Sequence, residues 1–362
     1  MMLVVNKTSK TKERRAVNNH NSKGNITTLG IDLAKNSFQL HGVNEKGDRM
    51  LRKKLTRRQL TAFVANLEPC LIGLEACGGA HHWVRVFSQF GHTVKMIAPQ
   101  FVKPYVKSNK NDAVDAEAIC EAVQRPSMRF VPSKSLEQQD IQSVHRIRSL
   151  LVGRRTAQAN QIRGLLMEYG VVIPQGIHQL RRAIPEILED AENTLTAYFR
   201  ELLQELYEEI IHFDQRIETI ELKLKRVSEQ NKDCQRLLTI PGIGLLTATA
   251  LIAAIGDISV FKNGRELAAW IGLVPRQHST GGKPTLLGIS KRGDSYLRTL
   301  LIHGGRSVVR VASRHQDKRN QWITEIKQRR GENISNVAVA NKNARVVWAL
   351  LTNKQDYNVV AA

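Results

Sequence analysis

The chain has 362 residues, room for two or three domains, and a hydrophobic content of 42%, which is enough to form cores. Lys and Arg number 54 against 33 Asp and Glu, so the net charge of +21 favours a polyanionic partner such as nucleic acid. No run of about 18 apolar residues occurs and no signal peptide is expected, so we predict no membrane segment. Four scattered cysteines show no disulfide pattern, which suits a reducing cytoplasm.

The first part of the chain predicts a basic arm followed by an α/β domain. Residues 1–25 are polar and basic, and we expect a disordered arm that touches phosphates. Residues 26–130 alternate short apolar runs with helical patterns, as α/β domains do. A buried strand ends at Asp32, and a second strand at residues 38–43 is expected to pair with it. Further strands are predicted at 70–75 and 93–97, and helices at 60–67, 82–90 and 112–123.

Residues 131–235 predict a helical coiled-coil domain. One segment places apolar residues at alternating spacings of four and three over about four heptads, which is typical of a coiled-coil seam. A helix at about 136–169 is a candidate antiparallel partner. The sequence leaves open whether the seam pairs within one chain or between two copies, and we favour some self-association. The seam residues are Phe199, Leu203, Leu206, Ile210, Phe213, Ile217, Ile220, Leu224 and Val227.

The last segment, residues 236–362, is expected to be mainly helical and to begin with a helix-hairpin-helix-like motif. Its hairpin would contain Gly242 and Gly244, and the small-residue helix follows directly. Two glycines let backbone N–H groups approach a phosphate, and the dipole of the next helix adds to the attraction. The alternative is a tight turn between packed helices with no ligand.

Four acidic residues between positions 26 and 130 form a candidate metal site. Asp32 and Glu75 each end a predicted strand, while Asp112 and Asp115 share one face of a predicted helix. Carboxylates about 4 Å apart repel by about 4 kcal/mol near a protein surface, and a divalent cation removes that repulsion. Mg²⁺ suits an all-oxygen set, and two such ions clamp a phosphodiester during cleavage. Taken singly, Asp112 is as simply a helix cap and Glu75 a surface group.

At these residues the chain resembles a known family, the DEDD-type transposases of the insertion sequence one-hundred-ten family, and within it the eleven-eleven branch. The resemblance covers about residues 26–350, with all the motifs in the expected order. The motifs are GIDLAK at 30–35, LEACG at 74–78, NDAVDA at 111–116, IPGIG at 240–244, GLVPRQHSTGG at 272–282 and GISKRG at 288–293.

The resemblance implies a RuvC-like domain of RNase H fold, a coiled-coil dimerisation segment and a C-terminal transposase domain. It implies that Asp32, Glu75, Asp112 and Asp115 bind Mg²⁺. It also implies recombination guided by a structured RNA from the element itself, which pairs with donor and target DNA. A homodimer, assembling as a tetramer on nucleoid DNA in the cytoplasm, is expected.

In the family, a serine of the C-terminal domain attacks DNA and forms a covalent phosphoserine link. We assign Ser279, because its primary hydroxyl is less hindered than that of Thr280, which occupies the position before glycine where several relatives place the nucleophile. Ser290 is a weaker candidate and more simply a helix cap. His278 adjoins the loop but need not face the same side, so metal-bound carboxylates are the expected activators.

Basic side chains surround the serine loop. They could stabilise charge on the attacked phosphate, or they could simply position the nucleic-acid backbone. These residues are Arg276, Lys283, Lys291, Arg292 and Arg298.

Two other functions compete with the RNA-guided recombinase. A RuvC-like nuclease or Holliday-junction resolvase would cut with activated water and would need the carboxylates but not Ser279. A non-enzymatic nucleic-acid scaffold would use only the basic surface, the coiled coil and the hairpin. The ordered acidic set argues against the scaffold, because carboxylates repel phosphates unless a metal ion intervenes.

Overall fold

The structure is a computed structural model that describes residues 25–106, 112–281 and 283–358, with only the backbone at residues 112 and 113. The predicted basic arm therefore lies outside the described residues, apart from Asn25. The described residues up to Ser133 form one compact unit, and those from Lys134 onward form a second. The second unit contains both the predicted helical segment and the predicted C-terminal segment.

The first unit is built on a six-stranded mixed sheet with the strand order β3-β2-β1-β4-β5-β6. Strands β1, β4 and β5 are parallel, while β2, β3 and β6 run antiparallel to their neighbours. The strands are β1 Thr28–Asp32, β2 Ser37–Val43, β3 Arg49–Thr56, β4 Leu71–Glu75, β5 Thr93–Ile97 and β6 Phe130–Val131. The helices are α1 Arg57–Ala65, α2 Ala80–Gln89, α3 Pro99–Val102 and α4 Asp112–Val123.

The centre of this sheet is apolar because β1 and β4 are covered on both faces. Leu29, Ile31, Ile72 and Leu74 are fully buried, and they pack in a core with residues of α1 and α2. The predicted pairing of the first two strands is confirmed, since Thr28 lies opposite Val43 and Asp32 opposite Gln39. This arrangement fixes β1 and β4 as neighbouring parallel strands in the middle of the unit.

Helix α4 lies directly on β1 and β4 because each strand has a glycine beneath it. Gly30 and Gly73 are in register in the two strands. A side chain at Gly30 would lie 2.2 Å from the Ala116 carbonyl oxygen, and one at Gly73 would lie 2.9 Å from the Val123 side chain. The two glycines therefore let the helix approach closer than any other residue would permit.

The second unit is almost wholly helical in its described part. A pair of long helices is followed by shorter ones and by one two-stranded ribbon. The helices are α5 Leu136–Glu168, α6 Ile177–Glu189, α7 Ala197–Gln230, α8 Lys232–Leu238, α9 Leu245–Ile255, α10 Gly264–Ile271, α11 Ser295–Val311, α12 Lys318–Arg330 and α13 Glu332–Asn353. The ribbon consists of β7 Pro275–Thr280 and β8 Lys283–Ile289.

The long helices α5 and α7 pack against each other in antiparallel directions within one chain. Arg148 pairs with Glu221 and Arg155 pairs with Asp214, so the partner number falls as the α5 number rises. Every residue of the predicted seam is buried or half-buried, with Leu203, Ile210 and Leu224 fully enclosed. The antiparallel partner expected for the seam of α7 is therefore α5 of the same chain. Pairing between two copies and the geometry of a coiled coil remain predictions.

The short helices of the second unit share a core of small and aliphatic side chains. Helices α9, α10, α11 and α13 contribute most of it. The sequence of α9 is rich in alanine and threonine, and nearly all of that helix is buried. None of the helices in the described ranges is long and apolar enough to cross a membrane.

Candidate active site

The predicted carboxylates Asp32 and Glu75 lie at the carboxyl ends of adjacent parallel strands. Strand residues two apart share a face of the sheet, so Asp32 is on the same face as Gly30 and Glu75 on the same face as Gly73. Both glycines face α4. The two carboxylates therefore project from the face that carries α4, and both are half-buried.

The predicted acidic pair of α4 is at the start of that helix. Cys120 contacts Thr28 of β1, and Ala116, one turn earlier in the helix, contacts Gly30. The first turn of α4 therefore points toward the end of β1 at Asp32. Asp115 is half-buried in this turn, while the side chain of Asp112 is outside the described residues.

Carboxylate oxygens are suitable ligands for Mg²⁺, but the described side chains do not form a finished metal cage. No group of three or more His, Cys, Asp or Glu side chains in the described part lies close enough together to hold an ion. The fold brings the two strand-end carboxylates together, and places the backbone of the Asp112 and Asp115 turn toward the same end of the sheet.

An exposed thiol stands beside the strand-end carboxylates. Burial of part of its side chain raises the pKa of Cys77, and the negative charges of Glu75 and Asp32 raise it further. Both carboxylates are therefore near enough to Cys77 for their charges to act on the same thiol. The negative potential they create is the condition under which a cation is attracted.

The predicted nucleophile is on the exposed ribbon of the second unit. Ser279 lies opposite Pro284, one residue pair before the turn that joins β7 to β8. Its hydroxyl accepts a hydrogen bond from the side-chain amide of Gln277, with 2.7 Å between Nε2 and Oγ. A carboxamide does not take up a proton near neutral pH, so Gln277 orients the hydroxyl without activating it.

The two neighbours of Ser279 lie on the opposite face of the ribbon. His278 is paired with Thr285 and Thr280 with Lys283, and paired residues share a face. His278 is therefore not placed to act as a base for Ser279, which agrees with the caution drawn from the sequence. Thr280 faces the other side, so the two candidate hydroxyls would need different approaches of the DNA.

The proposed cap role of Ser290 is wrong. Helix α11 begins five residues later, and Asp294 caps it by accepting hydrogen bonds from the backbone of Tyr296 and Leu297. Ser290 instead belongs to the turn that leaves β8, where its backbone N–H donates to the Val274 carbonyl.

The basic residues of the loop fall into two groups. Arg276, Lys283, Lys291 and Arg292 are exposed and form no ion pair with any described carboxylate. They are available to bind phosphates. Arg298 differs, because its guanidinium donates to the backbone carbonyls of Ile271 and Arg292 at 3.1 Å each.

Close backbone contacts hold the base of the ribbon. A side chain at Gly272 would lie 2.0 Å from the Arg292 carbonyl oxygen, and one at Gly293 would lie 1.9 Å from the Trp270 carbonyl oxygen. Both glycines also have positive φ angles, of +83° and +78°. Together with the Arg298 contacts, they join the end of α10 to the start of α11, so the ribbon projects from a fixed base.

The segment predicted to be a helix-hairpin-helix-like motif consists of α8, α9 and the turn between them. Gly242 has a φ of +88°, and a side chain there would lie 2.7 Å from the Gly304 carbonyl oxygen of α11. Packing alone therefore requires glycine at 242, as the alternative to phosphate binding anticipated. Gly244 is exposed with open space around it, and it precedes the first turn of α9.

The sequence analysis missed two features of this site. It did not assign the strands β7 and β8, and it gave no role to Gln277. The signal for Gln277 is its position two residues before Ser279, because alternate residues of a strand share one face. The ribbon itself was hard to find because both strands are exposed and show no apolar alternation.

Comparison with known proteins identifies the family. A family model described as "Transposase IS116/IS110/IS902 family" matches residues 234–320, and a second model, described as "Transposase" and named for the DEDD transposases of IS110, matches residues 29–171. A "Probable family 20 transposase" of Pseudomonas aeruginosa is 50% identical and covers 92% of this chain and 99% of the relative. The transposase for insertion sequence element IS1111A of Coxiella burnetii is 48% identical over 93% of this chain and 92% of the relative. The transposase for insertion sequence element IS1328 of Yersinia enterocolitica is 44% identical, and the match covers 91% of this chain and 97% of the relative.

These matches define an insertion-sequence transposase, a class of enzyme that cuts and rejoins DNA. The chain belongs to the IS110 family, as its motifs indicated. DNA is accordingly its partner.

Proposed function

We propose that this transposase is an RNA-guided recombinase that uses Ser279 as its nucleophile and a Mg²⁺ site formed by Asp32, Glu75, Asp112 and Asp115. The observation that supports this most is the position of Asp32 and Glu75 at adjacent strand ends, on the face that α4 covers. The strand order of the sheet also favours an RNase H-like, RuvC-type fold for the first unit.

The serine reaction exchanges one phosphodiester for another. The Ser279 oxygen attacks the phosphorus atom, an Oγ–P bond forms, and the bond to one deoxyribose oxygen breaks. The hydroxyl proton is lost and the departing oxygen takes up a proton, so the reaction is balanced without an energy source. A deoxyribose hydroxyl of the other DNA partner then attacks the phosphoserine and restores the enzyme.

The residues of this chain would divide the work. The Gln277 amide would orient the Ser279 hydroxyl, and the exposed Arg276 and Lys283 would hold the attacked strand through its phosphates. The four carboxylates would hold Mg²⁺, which would neutralise charge on the attacked phosphate and lower the pKa of the attacking hydroxyl. Lys291 and Arg292 would bind the neighbouring backbone.

The partners beyond DNA belong to this proposal. A structured RNA encoded by the element would select donor and target sites by base pairing, and the charge of +21 would bind its phosphates. Homodimers, and tetramers on DNA, would form through α5 and α7. Large apolar side chains on these helices are exposed, among them Tyr198 at 72% and Leu150 at 55%.

Two substitutions test the chemistry. The Ser279→Ala variant should lose recombination of a donor and target plasmid pair, and it should lose the covalent protein–DNA adduct seen on a denaturing gel. The Asp32→Asn variant should lose all DNA chemistry while keeping its shape. Thr280→Val serves as the matched control and should recombine normally.

Each outcome has one interpretation. A Thr280→Val variant that loses the adduct while Ser279→Ala keeps it would move the nucleophile by one residue. Cleavage that survives Ser279→Ala but not Asp32→Asn would favour the nuclease or resolvase. Normal recombination by both Ser279→Ala and Asp32→Asn would refute the proposed mechanism. Sequencing the RNA that co-purifies with the protein tests the guide, which should match DNA beside the element's own gene.

A further inference from the structure

A cavity between α10 and α13 is not used by the proposed chemistry. Its volume is about 360 Å³, within the range of pockets that hold one small ligand. It lies in the second unit, and none of its lining residues belongs to the serine ribbon β7–β8. Its lining residues are Asn263, Gly264, Arg265, Arg345, Trp348 and Ala349.

Gly264 determines how closely the two walls of this cavity approach. A side chain there would lie 2.9 Å from the Arg345 Cα and from its carbonyl oxygen, so only glycine allows α10 to contact α13 at this point. As a result, Arg265 of α10 and Arg345 of α13 both line the same cavity, and both residues are exposed. Two exposed cations are thereby brought to one site.

The two arginines at this cavity, Arg265 and Arg345, are not ion-paired with any carboxylate that the structure describes. The nearby Glu266 uses its carboxylate to accept the Lys262 backbone N–H. Burial lowers the pKa of Lys342 in α13, and the charges of Arg319 and Arg345 lower it further, so cations accumulate along this helix.

The first backbone N–H groups of α10 do not provide this site. The side chain of Asn263 accepts hydrogen bonds from the backbone of Arg265 and Glu266, at 3.0 and 3.1 Å. The helix end is therefore already capped, and an anion here would be bound by side chains.

An aromatic wall completes the cavity. The indole N–H of Trp348 donates to the Phe261 carbonyl at 2.8 Å, which fixes the ring while it remains half-buried. Arginine pairs with a neighbouring fixed aromatic ring are typical of sites that bind a phosphate and stack an unpaired base. A base in a duplex is stacked on both faces and could not contact Trp348 in this way.

We infer that this cavity binds one nucleotide of a single-stranded nucleic acid, with its phosphate between Arg265 and Arg345 and its base against Trp348. The site would hold strands that are unpaired during recombination. The inference depends on nucleic-acid binding and not on Ser279 or a metal ion, so it stands or falls separately from the proposed mechanism.

The test measures binding of fluorescein-labelled dT10, rU10 and a ten-base-pair duplex to the full chain by fluorescence anisotropy in EDTA, where no cleavage occurs. Trp348→Leu should weaken binding of the single strands about tenfold and leave the duplex unchanged. Ala349→Glu places a carboxylate at the cavity, and glutamate is a good helix former, so α13 should be preserved. This variant should also bind the single strands more weakly and leave duplex binding unchanged. A stronger loss for dT10 or for rU10 would identify the strand that the cavity holds.

The contribution of the two cavity arginines to phosphate binding is tested by comparing their double substitution with that of two arginines elsewhere. Arg265→Gln with Arg345→Gln should reduce the slope of log K against log salt for single strands by about 1.4. The control pair, Arg182→Gln with Arg226→Gln, removes the same charge from exposed positions of α6 and α7 and should change the slope less. Wild-type affinity for dT10 and rU10 in Ala349→Glu, or equal losses for single strands and duplex, would overturn the inference.

Discussion

Single residues determine how closely the elements of this protein approach one another. Gly30 and Gly73 lie in register under α4, and each is glycine because the helix fills the space of a side chain. In the sequence, Gly30 begins the motif GIDLAK at 30–35, but the motif does not explain why this residue is glycine. That reason depends on α4, which is about 80 residues away and cannot be seen from local pattern.

Replacing Gly30 by alanine should therefore destabilise the first unit. The added methyl would lie 2.2 Å from a backbone carbonyl of α4, so the helix has to move. We expect the free energy of unfolding to fall by about 3 kcal/mol, measured by urea unfolding, and metal-dependent cleavage to fall with it.

Gly153→Ala is the control for that substitution. This glycine is inside α5 with open space around its Cα, so alanine should raise stability by up to about 1 kcal/mol. Equal effects at the two positions would show that the contact with α4 is not what requires Gly30.

A buried histidine gives the second unit a pH dependence. His145 of α5 is 4% exposed, and its ring nitrogens lie 3.0 Å from the Tyr296 and Thr249 hydroxyls. Burial, together with a smaller effect of the positive charge of Arg148, lowers its pKa from 6.5 to about 4. The unfolded chain thus binds a proton at a higher pH than the folded one, and stability falls as pH drops from about 6.5 to about 4.

The contribution of His145 should be about 3 kcal/mol over that interval. Urea unfolding at pH 7, 6, 5 and 4.5 would measure it, with His145→Gln as the comparison, since glutamine does not titrate. The wild type should lose stability more steeply on acidification. Parallel curves would show that His145 is not the group responsible.

At the scale of elements, the pairing of α5 with α7 shows what a periodic pattern predicts well. The seam from Phe199 to Val227 was identified from spacing alone, and all of its residues are buried or half-buried. From Ile210 onward, successive seam residues are alternately buried and half-buried: Ile210 is enclosed, for example, whereas Phe213 is only half-buried. The partner helix was also predicted correctly, since Arg148 and Arg155 of α5 pair with Glu221 and Asp214 of α7.

Asp214 is the charged link in this helical unit. Its carboxylate pairs with Arg155 of α5 at 2.6 Å and with Arg181 of α6 at 2.5 Å, and it is only partly exposed. Asp214→Asn should lower the free energy of unfolding by about 1 to 2 kcal/mol, because two charge-assisted hydrogen bonds weaken.

Glu218→Gln is the matched change on the same helix. Glu218 is exposed and has no ion pair among the described residues, so its substitution should alter the melting temperature little. A similar fall in both variants would mean that net charge, and not the Arg155 and Arg181 contacts, accounts for the loss.

Elements without a clear apolar pattern were the ones the sequence did not predict. The strands at 71–75 and 93–97 and the helix at 112–123 were found because they are apolar and bounded by turns. Strand β3 lies at a sheet edge, has mostly exposed, basic residues and fully buries only Leu55, so its apolar pattern is too weak to detect. The same holds for the candidate site residues: the positions of Asp32 and Glu75 at strand ends were predicted, but the ribbon that carries Ser279 was not.

At the scale of the whole molecule, charge is the dominant property. The surplus of 21 positive charges is distributed over both units and the arm at residues 1–25. Association with DNA should therefore be fast and should weaken steeply as salt rises.

The contribution of the arm at residues 1–25 to DNA binding can be measured, although nearly all of the arm lies outside the described residues. Replacing its six cations by glutamine should reduce the slope of log K against log salt by up to about 5 for duplex DNA, if each one releases a counterion. The residues are Lys7, Lys10, Lys12, Arg14, Arg15 and Lys23. A shuffled arm that keeps all the cations should retain the slope, and an unchanged slope after the replacement would show that the arm does not touch phosphates.

The ribbon that carries Ser279 has a consequence for the host cell. Its strands are exposed except at Ile289, the last residue of β8, and a lone two-stranded hairpin is marginally stable in water. Under the proposed mechanism, a single copy that collides with chromosomal DNA outside an assembled complex would hold the Ser279 hydroxyl too loosely to break a strand. Harm to the genome would then be confined to fully assembled complexes, which keeps the element tolerable to its bearer.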